Sequence, residues 1–313
     1  MAYCLKQMVK FGENMRCLHC GSIEIHKRGF SNTGQQRFKC MSCDRWGQDT
    51  IGNTGMKVLL FDIETTPMEV FVWQLNSKSN NYISHGNIIE DWNILSWSAK
   101  WLYDSKVMSD IQTPREAKNR NDKRISQSIW NILDEADIII AHNGDRFDIK
   151  KLNTRFFMNG LNPPSPYQSI DTLRVAKRSF AFSSNRLDYL GQIMTNKGKL
   201  ETNFQLWKDC LKGDKSQLDR MLAYNEEDVR LLEEVYVQLR PWVKSHPNMG
   251  LNSSGSCCPN CGSDEIKPNG GYYTTMTNMY ESYRCDNCGG LSRQLKGELG
   301  LAERKQLMRS LPR

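Results

Sequence analysis

Acidic residues recur along this chain at spacings that could share a metal ion. Asp62 and Glu64 fall in Phe61-Asp62-Ile63-Glu64-Thr65-Thr66, Asp148 closes Asn143-Gly144-Asp145-Arg146-Phe147-Asp148, and Asp228 closes Tyr224-Asn225-Glu226-Glu227-Asp228. On a strand, Asp62 and Glu64 leave the backbone on one face. Two carboxylates that close repel each other, and a bound cation is the usual reason to place them together. Oxygen donors of this kind suit Mg²⁺ or Mn²⁺ rather than zinc. Each motif also has an ordinary reading: an acidic strand end facing solvent, an aspartate that caps a helix, or a core tyrosine beside an unrelated surface acid.

The elements that must position these residues follow from hydrophobic patterning. Lys57-Val58-Leu59-Leu60-Phe61 is a short apolar run that reads as a buried strand ending at the first motif, and Ile138-Ile139-Ile140-Ala141 reads as a second. His142-Asn143-Gly144 marks a turn, after which Asp145 to Asp148 opens a helix with Ile149, Leu152, Phe156 and Phe157 on its apolar face. Asp148 is thereby expected in the first helical turn, at the carboxyl end of a strand, with Asp145 the better candidate for the cap. From about Ser216 to Leu239 neither Gly nor Pro occurs, and Leu218, Leu222, Val229, Leu232, Val235 and Leu239 recur at helical spacing. Tyr224 and Asp228, four apart, share a face of that helix, while Glu226, Glu227 and Glu233 are expected on a solvated surface.

An Asp-x-Glu strand, an Asn-Gly-x-x-Phe-Asp turn and a Tyr-x-x-x-Asp helix, in this order, resemble the DEDD 3′–5′ exonucleases of the tyrosine branch. The resemblance covers roughly Lys57 to Trp242. It implies an α/β, ribonuclease H-like fold, with a mixed central sheet flanked by helices. It places the metal-binding carboxylates at Asp62, Glu64, Asp148 and Asp228 and the catalytic tyrosine at Tyr224. It further implies two-metal catalysis, with Asp62 bridging two Mg²⁺ or Mn²⁺ ions, Tyr224 orienting the attacking water, and a nucleoside 5′-monophosphate as product. Asn143, Thr65 and Thr66 are expected to contact substrate. Asp171, in Ser169-Ile170-Asp171-Thr172-Leu173, also looks family-like or caps a helix.

Of 11 cysteines, four form Cys17-x-x-Cys20 and Cys40-x-x-Cys43, and four form Cys258-x-x-Cys261 and Cys285-x-x-Cys288. Gaps of 19 and 23 residues between the paired knuckles suit two tetrahedral structural Zn²⁺ sites on short hairpin ribbons that lack a core of their own. The x-x spacing favours Cys258 over its neighbour Cys257, and Cys4 and Cys210 read as ordinary thiols. The N-terminal pair and its surroundings resemble the zinc ribbon that precedes insertion-sequence transposases, which implies DNA contact. A disulfide framework is the alternative, disfavoured because no signal peptide is evident.

Charge localises weakly. Residues 57–243 hold 25 basic and 25 acidic side chains, so the formal +7 lies in the flanks, with 8 and 4 in residues 1–56 and 9 and 6 in residues 244–313. Two Zn²⁺, each with four thiolates, would reduce the total to about +3. Nucleic-acid binding then rests on local patches: Lys27, Arg28, Arg37, Lys39 and Arg45 near Phe30, Phe38 and Trp46, and Tyr272, Tyr273, Tyr280, Tyr283, Arg284 and Arg293 in the C-terminal ribbon. The expected plan is a zinc ribbon at 1–50, the exonuclease domain at 56–243, a second ribbon at 255–296 and a basic tail at 297–313. No run of apolar residues is long enough to cross a membrane, and a cytoplasmic location is expected. The leading expectation is a metal-dependent exonuclease acting on nucleic acid, DNA rather than RNA, with any polymerase a separate partner. The competing readings are a ribonuclease H-like endonuclease or strand-transfer enzyme and a non-catalytic zinc-ribbon DNA-binding protein.

Overall fold

The computed structural model describes residues 8–11, 14–17, 22, 24–30, 36–42, 44, 46–48, 56–73, 83–198, 202–251, 253, 255–308 and 310. The chain divides into two compact units, one of residues 57–102 and 106–237, the other of 1–56, 103–105 and 238–313.

In the N-terminal flank, β1 (Met8–Phe11) pairs antiparallel with β2 (Asn14–Cys17), and β3 (Ile25–Phe30), β4 (Gln36–Cys40) and β5 (Trp46–Gln48) form a three-stranded antiparallel sheet. Phe38 is buried there rather than presented on the surface, and Lys39 pairs with Asp44 at 2.6 Å. Of the N-terminal cysteines, Cys40 is buried; the side chains of Cys17, Cys20 and Cys43 lie outside the described residues.

The larger unit is built on β6 (Val58–Thr65), which runs from the apolar residues through the acidic motif. After the small hairpin of β7 (Glu69–Val70) and β8 (Ile88–Glu90) come β9 (Ile94–Trp101), β10 (Met108–Ile111), α1 (Pro114–Lys118), α2 (Lys123–Leu133), β11 (Ile138–Ala141), α3 (Asp148–Met158), β12 (Gln168–Asp171), α4 (Thr172–Ser179), α5 (Leu187–Thr195), α6 (Phe204–Leu211) and α7 (Lys215–Leu239). The central sheet has the order β10-β9-β6-β11-β12, antiparallel from β10 to β6 and parallel from β6 to β12. This is the mixed, helix-flanked sheet expected of a ribonuclease H-like fold.

Strand alternation sorts β6 into two faces. Leu59, Phe61 and Ile63 join Ile125, Ile129, Leu133, Leu152 and Phe156 of α2 and α3 in one core. A second cluster, of Leu95, Leu206, Cys210, Leu218 and Met221, packs α6 and α7, with Tyr224 against it. Burial pushes the Cys210 thiol up to about 12, which fits a plain core residue. Asp122 fastens the first core. Fully buried, it accepts Arg155 Nε and Nη2 at 2.6 and 2.7 Å and the Ile94 amide at 3.0 Å.

The C-terminal flank holds β13 (Ile266–Thr274), β14 (Met279–Cys285) and β15 (Leu291–Arg293) in an antiparallel sheet, followed by the short helix α8 (Leu301–Lys305). Among the described residues no helix is long and apolar enough to cross a membrane.

Candidate metal centre and cysteine cluster

The acidic centre begins with strand geometry. Asp62 and Glu64 leave β6 on one face, opposite Ser98 and Ser96 of β9. Asp228 comes from α7, and one carboxylate oxygen from each of Asp62, Glu64 and Asp228 lies within 4.8 Å of the others. Three ionised groups at that range cost at least about 3 kcal/mol per pair at an effective dielectric of about 20. A dication changes the sign of that term, so the donor set fits a hard divalent ion. Asp62 and Glu64 are half-buried and Asp228 is buried.

Asp148 reaches the same strand by another route. β11 pairs with β6 only as far as Leu60, so the β6 edge beyond it has no strand partner on that side. From the first turn of α3, Asp148 accepts the Ile63 amide at 3.3 Å, between the two acids of the motif. Its carboxylate is buried and lies outside the tight group of three.

The turn that delivers α3 is sterically specified. Asn143 sits at φ +69°, and its amide donates to Asp171 at 3.0 Å. A Cβ on Gly144 would come within 2.5 Å of the Ala141 Cβ, so glycine is required for the chain to fold back on β11. Asp145 does not cap the helix. It accepts Ser169 Oγ at 2.8 Å and pairs with Arg174, because α3 starts only at Asp148. Asp171 does cap α4, accepting the Leu173 and Arg174 amides at 3.0 and 3.3 Å, and burial holds its carboxyl above the ordinary range. His142 is engaged at both nitrogens, by Thr172 Oγ1 and the Asn185 carbonyl, each at 2.9 Å.

Tyr224 lies half-buried one helical turn before Asp228. Thr65 is half-buried at the end of β6. Thr66 is buried, its hydroxyl 2.9 Å from Asn93 Oδ1 and accepting the Asn93 amide at 2.9 Å.

Sequence reasoning missed Asn225. It is fully buried, and its Nδ2 donates to Asp62 Oδ2 at 2.7 Å while Oδ1 faces Ser96 Oγ at 3.4 Å. Its place inside the Tyr-x-x-x-Asp motif was visible, but its partners on β6 and β9 were not. The solvated surface expected for Glu226, Glu227 and Glu233 holds for Glu227, which pairs with Arg230 at 3.5 Å on an exposed face, and is corrected for the other two. Glu226 accepts Ser109 Oγ at 2.6 Å, and Glu233 is buried in an ion pair with the equally buried Lys100. Five residues beyond Asp228, Glu233 is turned toward the sheet, where β9 offers a cation.

In the C-terminal flank, one sulfur from each of Cys258, Cys261, Cys285 and Cys288 falls within 4.8 Å of the rest, with Cys258–Cys288 and Cys261–Cys285 both at 3.6 Å. Tetrahedral thiolates at the usual zinc–sulfur distance of 2.3 Å stand about 3.8 Å apart, whereas a disulfide needs about 2 Å. Contacts among the thiols hold Cys258 and Cys288 below the ordinary thiol range and push Cys261 and Cys285 above it. Only a cation lets all four ionise together. Backbone turns support the knuckles, with Gly262 and Gly289 at φ +75° and +77° and the Gly290 amide 3.4 Å from Cys288 Sγ. Cys257 points elsewhere, to Ser253 Oγ at 3.1 Å.

A family model described as RNase_H superfamily matches residues 101–240. The match takes in Asp148, Tyr224 and Asp228 and begins after β6, which the sheet joins to it through β9 and β11. Among solved structures, the chain is similar to the family B DNA polymerase of the hyperthermophilic archaeon Pyrobaculum calidifontis, at 16% identity and a TM-score of 0.44, over 70% of this chain and 28% of that one. The chain thus spans well under two thirds of that polymerase. A search of curated proteins finds no match.

Proposed function

We propose that this protein is a 3′–5′ exonuclease of the DEDD type, tyrosine branch, that hydrolyses DNA to nucleoside 5′-monophosphates. The observation that carries the reading is the convergence of Asp62, Glu64 and Asp228 within 4.8 Å, with Asp148 held on the Ile63 amide between the two strand acids. The RNase_H superfamily match over residues 101–240 supports a nuclease-type chemistry.

In this reading Asp62, Glu64 and Asp228, with Asp148 behind them, hold two Mg²⁺ or Mn²⁺ ions. When bound, such ions activate water and stabilise the departing 3′ oxygen. The chain's own groups supply orientation. Asn225 fixes one Asp62 oxygen. Tyr224, whose phenol ordinarily titrates near 10, hydrogen-bonds the attacking water rather than deprotonating it. Thr65, Thr66 and Asn143 border the terminal nucleotide. Cys258, Cys261, Cys285 and Cys288 hold a structural Zn²⁺, and Cys17, Cys20, Cys40 and Cys43 hold a second. The proposed plan keeps ribbons at 1–50 and 255–296 around a catalytic domain at 56–243.

The test is a time course with Mg²⁺ or Mn²⁺ on 5′-labelled single-stranded DNA, duplex DNA and RNA. A ladder that shortens from the 3′ end, and disappears in Asp62→Ala and Asp228→Ala, is the expected result. Internal cuts would favour an endonuclease, and shortening that survives both substitutions would remove this centre from the chemistry.

A further inference from the structure

Six aromatic and basic residues of the C-terminal sheet look equivalent along the sequence, but the strand register separates them. Tyr273 faces Tyr280 across β13 and β14, Lys267 faces Arg284, and on β15 Arg293 and Leu291 stand opposite Ser282 and Arg284. Directly opposed residues share a face, as do alternate residues on one strand. Tyr273, Tyr280, Arg293, Arg284 and Lys267 therefore lie on one side. Arg293 confirms this, with its guanidinium carbon 3.8 Å from the Tyr280 ring centre and 5.4 Å from that of Tyr273. Tyr272, Tyr283 and Glu281 lie on the other side, where Tyr283 hydrogen-bonds Glu281 and Gln294.

We propose that the face bearing Tyr273, Tyr280 and Arg293 is a binding platform for a single polynucleotide strand. It deepens the exonuclease reading by naming where the C-terminal flank takes hold of an unpaired strand, and it rests on that reading only for the choice of polymer. Charge points to a polyanion, since Lys267, Arg284 and Arg293 stand on this face whereas the sheet's acid, Glu281, is on the reverse. Lys267 is partly neutralised by Asp286, but the two guanidinium groups carry five donors each and give one apiece to the carbonyls of Gly289 and Gln294. Aromatic character points to unstacked bases. Tyr273 is 55% exposed, and Arg293 beside it extends the flat surface on which a base can stack. A duplex, with its bases already stacked, offers this face only phosphates. The platform is sequence-tolerant, because every base presents a π-face.

The adjacent tyrosine is a control supplied by the fold. Tyr272 is also 55% exposed, one residue away, and on the opposite face. Binding is read by fluorescence anisotropy on the full chain carrying Asp62→Ala, without added divalent ions, using labelled dT20, rU20 and a 20-base-pair DNA duplex. Tyr273→Ala and Arg293→Ala are expected to weaken binding of both single strands by roughly 5- to 100-fold, and Tyr272→Ala by less than twofold. Arg284→Ala should reduce the salt slope by about one. Tyr273→Phe, which keeps the ring, should bind like the parent, and its zinc content and thermal transition guard against misfolding. Equal losses in Tyr272→Ala and Tyr273→Ala, no loss in either, failure of Tyr273→Phe to bind, or an equal loss on duplex would overturn the platform. Because no turnover is measured, a chain that binds through Tyr273 yet never shortens DNA would refute the exonuclease reading and leave the platform standing.

Discussion

Asn225→Leu is the substitution that most directly asks whether the buried face of α7 tunes the acidic centre. It preserves approximate volume and removes the Nδ2 that donates to Asp62 Oδ2 at 2.7 Å, together with the Oδ1 that accepts the weaker Ser96 hydroxyl contact at 3.4 Å. A hydrogen bond to a charged acceptor contributes about 1.5–3 kcal/mol, or roughly 10- to 150-fold in an equilibrium constant. Asp62 then loses this anchor, and groups that orient metal ligands typically affect affinity by about 10–100-fold. Asn225 is fully buried and its other end faces only Ser96, so no surface rearrangement supplies a substitute donor. The expected outcome is Mn²⁺ binding weakened by about 10–100-fold in calorimetry. Nuclease activity should require correspondingly more Mg²⁺ for half-saturation and recover most of kcat at high metal. A merely structural role would instead lower Tm and kcat at every metal concentration. Mn²⁺ affinity within about threefold of the parent, on a folded protein, would refute the reasoning.

Glu233→Ala breaks the buried ion pair with Lys100 and should cost about 3–5 kcal/mol in urea denaturation, while Lys100→Met with Glu233→Leu recovers most of it. Asp228→Asn relieves carboxylate repulsion, and should raise the Tm of the metal-free protein while abolishing its stabilisation by Mg²⁺ in thermal scans. Zinc analysis should distinguish two adjacent thiols: Cys257→Ser retains the metal, and Cys258→Ser loses the C-terminal ion.

The acids were legible because their spacing matched element periods. Asp62 and Glu64 obey the strand period of two, Tyr224 and Asp228 the helix spacing of four, and Cys258-x-x-Cys261 the bite of a knuckle turn. Local chemistry of that kind is written in the order of residues. The surroundings were not legible, because they depend on which strand lies opposite. Glu233 looked like a surface acid until β9 placed Lys100 against it, and Asn225 carried no signal of its own, since its partner Asp62 lies on β6. Asp145 looked like a cap because helix starts are imprecise in sequence, and the Asn143-Gly144 turn delays α3 until Asp148.

By itself the sequence determined the candidate ligand types, their order and the α/β alternation that carries them. Tertiary structure alone decided which acids close to within one ion's reach, with Asp62, Glu64 and Asp228 together and Asp148 on the backbone beside them. It also decided which side of the C-terminal sheet each of two neighbouring tyrosines faces. The reason is common to both. Periodicity fixes a side chain's direction relative to its own element, whereas register and packing fix what it meets there.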